Sequence, residues 1–242
     1  MSKGLVVVTG VSQGLGLAVT LRLLNDGFKV VGISRRQTKE FKELESTFKD
    51  KLFFYSYDFN NIDGIHDLVK RITKEHGAIF GLVNNAALGH DGVLSTMHET
   101  QISELIRVNI EAPILLTKYI SRSMLMKMKG RIINIGSIIG STGFNGLSVY
   151  GATKSAMGGF TRSLARELGK AKITVNTVAP GYMQTAMTSG LEGSKLESIK
   201  RRSCLGHLAT VNDVAGTISY LLSEDAKNIT GTTFTVDAGS TA

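Results

Sequence analysis

The sequence predicts a doubly wound α/β fold, one parallel sheet of seven strands with helices on both faces. Seven short runs rich in Val, Ile, Phe and Thr recur along the 242 residues. Longer segments with helical periodicity separate them, and a glycine-rich turn follows the first run directly. Runs of nearly continuous apolar character suit strands buried on both faces, and strand-helix alternation supplies the crossovers that a parallel sheet needs.

The first strand is predicted at Leu5 to Thr9, leading through TGVSQGLG, residues 9 to 16, into a helix from Gly16 to Asp26. Strands at Val30 to Ser34 and Leu52 to Asp58 precede a helix from Ile62 to His76. A fourth strand, Ile79 to Asn84, is followed by one long helix from Gln101 to Lys127 and a fifth strand from Arg131 to Ser137. A helix from Ser148 to Leu168, a strand from Thr174 to Val178, a helix from Asn212 to Leu222 and a strand from Thr232 to Val236 complete the series. The segment from Met183 to Cys204, rich in Met, Gly, Ser and Lys, carries neither pattern and reads equally as a substrate lid or a surface excursion. No repeat or Pro-rich linker divides the chain, so residues 1–242 are expected to form one domain.

Apolar residues make up 42% of the chain and charged residues 20%. No apolar stretch approaches the roughly 18 residues of a bilayer span, so no membrane association is expected. Met1-Ser2-Lys3-Gly4 runs into the first strand without an export leader, and the single cysteine, Cys204, suits a reducing compartment; the expectation is cytoplasmic. A net charge of +8 suits an anionic partner. The basic residues are nonetheless dispersed, no aromatics interleave with them and Trp is absent, so nucleic acid is not expected. The histidines show no metal-ligand spacing with one another or with Cys204, and no metal is expected.

A glycine-rich turn between a strand and a helix lets backbone approach a pyrophosphate, while the helix N-terminus offers it unpaired N–H groups. Gly10, Ser12, Gln13, Gly14, Leu15 and Gly16 supply that turn here, although their spacing differs from G-x-G-x-x-G. At the end of the second strand, where NAD enzymes carry an acidic residue, the chain has Ser34-Arg35-Arg36. Guanidinium groups accept a 2′-phosphate in bidentate fashion, so the cofactor is expected to be NADP(H).

Tyr150 and Lys154 are four residues apart on a predicted helix and share a face. A free tyrosine titrates near ~10, and a neighbouring ammonium is expected to lower that value and make proton exchange easier. Ser137, predicted to end the fifth strand, lies where an open parallel sheet presents its ligand crevice, with a hydroxyl suited to a substrate carbonyl. A serine nucleophile is disfavoured because no G-x-S-x-G elbow surrounds it. Pro113 cannot donate an N–H to the carbonyl of Asn109, which leaves that carbonyl free for a water and opens a route for protons through Lys154 to Tyr150.

Together TGVSQGLG, Asn84-Asn85-Ala86, Asn109, Ser137, Tyr150, Lys154 and Pro180-Gly181 with Thr185 resemble the short-chain dehydrogenase/reductase family over essentially the whole chain. The resemblance implies a Rossmann fold, an Asn109-Ser137-Tyr150-Lys154 tetrad, and cofactor contacts at Asp58 and Phe59 for adenine and at Asn85 and Ala86 for ribose. It also implies contacts at Pro180, Gly181, Met183 and Thr185 near the nicotinamide, with Lys154 and Tyr150 beside them. HDGVL at 90–94, VYGATKSAMGGFTRSLAREL and ITGTTFTVDAG most resemble the 3-oxoacyl-[acyl-carrier-protein] reductases. That subfamily implies an acyl carrier protein partner and a homotetramer. Where it carries two docking arginines, this chain has Met128 and Ala171, flanked by lysines; Asp237-Ala238-Gly239 stands where it carries a double glycine.

Three readings are open from the residues: a 3-oxoacyl-thioester reductase, a reductase of another small ketone or alcohol, and a non-catalytic dinucleotide sensor. The last would predict a broken tetrad, and all four positions are present.

Overall fold

The computed structural model of the chain describes residues 3–183 and 194–242, with side chains from 197 onward in the second stretch. Seven strands form one sheet: β1 (Leu5–Thr9), β2 (Lys29–Ser34), β3 (Leu52–Ser56), β4 (Ile79–Asn84), β5 (Gly130–Ile135), β6 (Ile173–Pro180) and β7 (Thr233–Val236). Their order is β3-β2-β1-β4-β5-β6-β7, and every neighbouring pair is parallel. The predicted fold class is borne out. Strand order reverses between β1 and β4, so the loops leaving these two strands diverge and leave a crevice at their C-terminal ends.

Alternation within the strands divides the core. Val7, Val31, Leu82, Ile132 and Val175 pack with residues of α3 (Ile65–His76), α5 (Ala112–Lys127) and α7 (Ser148–Leu168). Val6, Val8, Val30, Val83, Ile133 and Val178 face the opposite way, onto α1 (Gly14–Asn25), Phe41 of α2 (Lys39–Thr47) and α9 (Val211–Leu222). Because both faces are covered, the strands read as continuous apolar runs.

Several boundaries differ from expectation. Helix α2 was not predicted: Phe41 is its one fully buried residue, too little for an apolar period, and its start is set by Thr38, whose hydroxyl accepts the Phe41 N–H. The predicted helix 101–127 is three pieces, α4 (Glu99–Ile106), a π turn (Arg107–Glu111) and α5. Pro113 lies two residues past the π turn, and its missing N–H favours a widened turn over a simple kink. Strand β5 ends at Ile135, so Ser137 stands two residues beyond it. The 183–204 segment, read as a lid or a surface excursion without helical pattern, contains a helix, α8 (Ser194–Arg202). The short helix α6 (Ile139–Thr142) follows Ser137.

Candidate active site

The crevice begins at the β1–α1 turn. Gly10 and Gly14 take φ of +73° and +56°, which favour glycine. A Cβ on Gly16 would stand 2.1 Å from the Gly10 carbonyl oxygen, so only glycine admits this close approach. Gln13, at the start of α1, makes no side-chain cap, which leaves the first-turn N–H groups available to an anion together with the helix dipole. A cradle that a single Cβ would fill, at a helix N-terminus and a switch point, fits a dinucleotide pyrophosphate.

Thr9 holds this cradle against β4. Its hydroxyl accepts the N–H groups of Asn85 and Ala86 at 2.9 and 2.8 Å, and the Asn85 amide donates to the carbonyls of Thr9 and Gly10 at 2.8 and 3.2 Å. Asn85 and Ala86 thus stand beside the glycine turn. The Ser12 hydroxyl donates to the Arg36 carbonyl at 2.6 Å, and Thr38 donates to the Ser12 carbonyl at 2.7 Å, drawing the end of β2 to the same turn. Arg35 and Arg36 are exposed, and neither guanidinium has an ion-pair or hydrogen-bond partner among the described residues. Asp58 is exposed and accepts the Asn60 N–H, whereas Phe59 is buried beside Tyr57. Leu15 is buried on α1.

The second half of the site lies on β5, β6 and α7. The Ser137 hydroxyl accepts the Ile139 N–H at 3.2 Å and lies close enough to the Tyr150 phenol to influence its titration. Lys154, one turn along α7, is buried; its Nζ donates to the Ile135 carbonyl at 2.9 Å and lies 5.6 Å from the Tyr150 ring centre. Burial pulls the Lys154 ammonium down to about 8. Tyr150 departs from expectation: burial pushes its phenol above the ordinary value and the Asp91 carboxylate adds to that, while the neighbouring Ser137 hydroxyl opposes both. The lowering expected from Lys154 is not found, and desolvation of the phenolate is the largest effect.

Asn109 occupies the π turn, where its amide binds the loop after β4 and Thr153 rather than the Tyr150 side chain. Its Oδ1 accepts the Leu88 N–H at 2.8 Å, and its Nδ2 donates to the Leu88 carbonyl at 2.9 Å and to the Thr153 hydroxyl at 3.1 Å. The loop containing Asp91 is also tied by the Gly92 N–H to the Gly146 carbonyl at 2.9 Å and by His90 to Glu104 at 3.3 Å. Below it, a buried polar ladder crosses the sheet from Thr117 through Asn84 and Asn134 to Thr161 and Thr177. Pro180 ends β6, with its carbonyl accepting the Ile138 N–H at 3.1 Å, and Gly181 and Met183 follow. Thr185 and the rest of residues 184–193, within the predicted 183–204 segment, lie outside the described residues.

Sequence reasoning missed Thr9, Thr153 and Asp91 as site-building residues. Each stood in view, in TGVSQGLG, beside Lys154, and in HDGVL, but their partners lie on other elements. No helix of the described residues is long and apolar enough to cross a membrane, and they hold no metal-binding cluster of His, Cys, Asp and Glu.

Comparison with known proteins bears on this arrangement. The short chain dehydrogenase family pattern matches residues 4–195. The chain is 34% identical over 233 residues to 3-oxoacyl-[acyl-carrier-protein] reductase FabG of Vibrio cholerae, covering 96% of this chain and 95% of that protein. It is 35% identical over 239 residues to FabG of Haemophilus influenzae, at 99% and 98% coverage. To FabG of Escherichia coli it is 34% identical over 235 residues, at 96% and 95%.

Proposed function

The chain belongs to the short chain dehydrogenase family, and from that premise we propose that it uses NADPH to reduce a 3-oxoacyl thioester, carried on acyl carrier protein, to the 3-hydroxyacyl thioester. The observation that carries the reaction type is Tyr150, close to Ser137 and one helical turn from the buried Lys154, whose Nζ lies 5.6 Å from the Tyr150 ring centre, at the C-terminal edge of the sheet. The substrate class rests on the nearly full-length likeness to proteins named 3-oxoacyl-[acyl-carrier-protein] reductase. The setting would be fatty-acid or related acyl-chain biosynthesis in the cytoplasm.

Carbonyl reduction requires a hydride, a proton and a partner for the developing oxyanion. When bound, the nicotinamide supplies the hydride. Gly10, Ser12, Gln13, Gly14, Leu15 and Gly16 hold its pyrophosphate, Arg35 and Arg36 the 2′-phosphate, Asp58 and Phe59 the adenine, and Asn85 and Ala86 the ribose. Pro180, Gly181 and Met183 would line the nicotinamide side, where the family resemblance adds Thr185. The Ser137 hydroxyl orients the substrate carbonyl, and Tyr150, kept protonated by its burial, delivers the proton to the oxygen. Lys154 replenishes that proton and holds the nicotinamide ribose. Asn109 fixes the substrate loop and, through the carbonyl freed by Pro113, connects the site to solvent.

The proposed homotetramer is supported by an apolar groove lined by Leu94, Ile106, Ile110, Val149 and Ala152, in which Leu94 and Ile106 are 56% and 45% exposed. Light scattering of the purified protein decides it, and a monomer would refute the assembly.

The function is tested by NADPH oxidation with matched 3-oxoacyl groups on acyl carrier protein and on coenzyme A, and with simple ketones. The expected order is carrier protein, coenzyme A, ketone; activity confined to simple ketones overturns the substrate class. Tyr150→Phe should abolish turnover while NADPH still binds, and substantial retained turnover removes Tyr150 as the proton donor.

A further inference from the structure

The C-terminal turn joins the two stretches of chain that flank residues 182–202. Asp237 is 8% exposed. Its Oδ1 accepts the Gly239 N–H at 2.9 Å, and its Oδ2 accepts the Thr241 hydroxyl at 2.7 Å. Its own carbonyl accepts the Ser240 N–H and hydroxyl at 3.2 and 2.7 Å. These bonds hold the turn closed around Ala238, which takes φ +55°, a left-handed conformation that an alanine adopts only when its surroundings enforce it.

That conformation aims two carbonyls at the chain returning from α8. The Ala238 carbonyl accepts the Ser203 hydroxyl at 2.6 Å and the Leu205 N–H at 3.2 Å, and the Gly239 carbonyl accepts the Cys204 thiol at 3.2 Å. On the other side, the Gly181 N–H donates to the Val236 carbonyl at 2.9 Å, and a Cβ on Gly181 would stand 2.5 Å from that of Asp237. The Pro180 carbonyl, one peptide earlier, receives the N–H of Ile138, the neighbour of Ser137. One turn therefore touches the exit of β6, its re-entry at Ser203, and through Pro180 the backbone that carries Ser137.

We infer that Asp237 is a positioning residue for the active site, holding Pro180-Gly181 on one side and Ser203-Cys204-Leu205 on the other at fixed places relative to Ser137. Asp237 touches neither substrate nor cofactor; it acts through the backbone of Gly181 and the closed turn. The inference rests on the reading that Pro180-Gly181 lines the dinucleotide site, so the experiment separates the two. NADPH affinity is measured by fluorescence titration, and KM and kcat by NADPH oxidation, for the parent, Asp237→Ala and Asp237→Asn. Asparagine can still accept the Gly239 N–H and bond Thr241, whereas alanine can do neither. Losing these bonds should raise the NADPH Kd and KM on the order of tenfold in Asp237→Ala, with kcat reduced less. Asp237→Asn should stay within about twofold of the parent, as expected if retained bond geometry is what matters. Tryptic cleavage at Arg201 and Arg202 should accelerate in the alanine variant alone.

A parent that does not bind NADPH overturns the dinucleotide reading. A parent that binds it, beside an alanine variant with unchanged Kd, KM and cleavage, overturns the positioning role even if its melting temperature falls. An asparagine variant as impaired as alanine overturns it too. Should Asp237→Ala fail to fold, Ser203→Ala removes the 2.6 Å bond at the far side of the turn; faster cleavage at Arg201 supports the role, and unchanged cleavage and KM refute it.

Discussion

The Asn109 amide donates to the Thr153 hydroxyl across 3.1 Å, and that hydroxyl donates to the Tyr150 carbonyl at 2.7 Å. With the two bonds from Asn109 to Leu88, these bonds link the loop after β4, the π turn and the helix carrying the proposed proton donor. Thr153→Val keeps the shape and removes the hydroxyl. Stranding a buried polar partner costs about 1–3 kcal/mol, and each kcal/mol lowers the melting temperature by roughly 2–4 °C at this chain length. Turnover is expected to fall severalfold with NADPH affinity unchanged, as read from calorimetry and steady-state kinetics; a variant with full activity would separate Thr153 from Tyr150.

Asp91 adds to the burial that raises Tyr150. Asp91→Asn removes the negative charge and should lower the phenol's pKa. Reduction requires the protonated phenol, so its alkaline limb should move to lower pH. Oxidation requires the phenolate, so its acidic limb should move the same way. The pH dependence of kcat/KM in both directions checks this, and limbs that stay in place would show that Asp91 has no electrostatic hold on Tyr150.

Lys154 titrates at about 8 rather than at its ordinary 10.5. Below pH 8 the ammonium is present in both folded and unfolded chains, and its burial costs roughly 3 kcal/mol. Between pH 8 and 10.5 the folded chain has shed the proton and the unfolded chain has not, so stability rises with pH across this window. Lys154→Met lacks the charge but leaves the Ile135 carbonyl without its partner, a cost of about 1–3 kcal/mol. The variant should be inactive and melt no lower than the parent at pH 7, with the parent gaining on it toward pH 10. Melting curves for both proteins across this range test the sign.

Arg35 and Arg36 are exposed at the end of β2, beside a turn braced by Ser12 and Thr38. Replacing both with alanine should weaken NADPH far more than NADH, by about 1.5–3 kcal/mol for each charged hydrogen bond lost. Titration with both nucleotides decides it, and equal weakening would move the 2′-phosphate site elsewhere.

Much of this was legible in the sequence because it depends on local pattern. Strands covered on both faces are written as apolar runs, as in Leu5–Thr9, whose residues are all buried. The glycine turn announces itself because its backbone excludes side chains, and Tyr150 and Lys154 share a face because a helix repeats near four residues. Helix α2 and the division at Arg107–Glu111 were not legible, since the first rests on one buried phenylalanine and the second on how a proline-bearing helix settles against its neighbours.

By itself the sequence determined the fold class, the glycine turn and the Tyr150-Lys154 pair, consequences of spacing along one strand, turn or helix; most other candidate residues came from resemblance to a family. Tertiary structure decided what joins them. Thr9 braces Asn85 from 76 residues away, and Asn109 meets Thr153 from 44. The direction of the Tyr150 shift belongs there too, because desolvation is a property of what surrounds the phenol. The C-terminal turn belongs with them, since Asp237 acquires its role only where Gly181 and Ser203 converge on it.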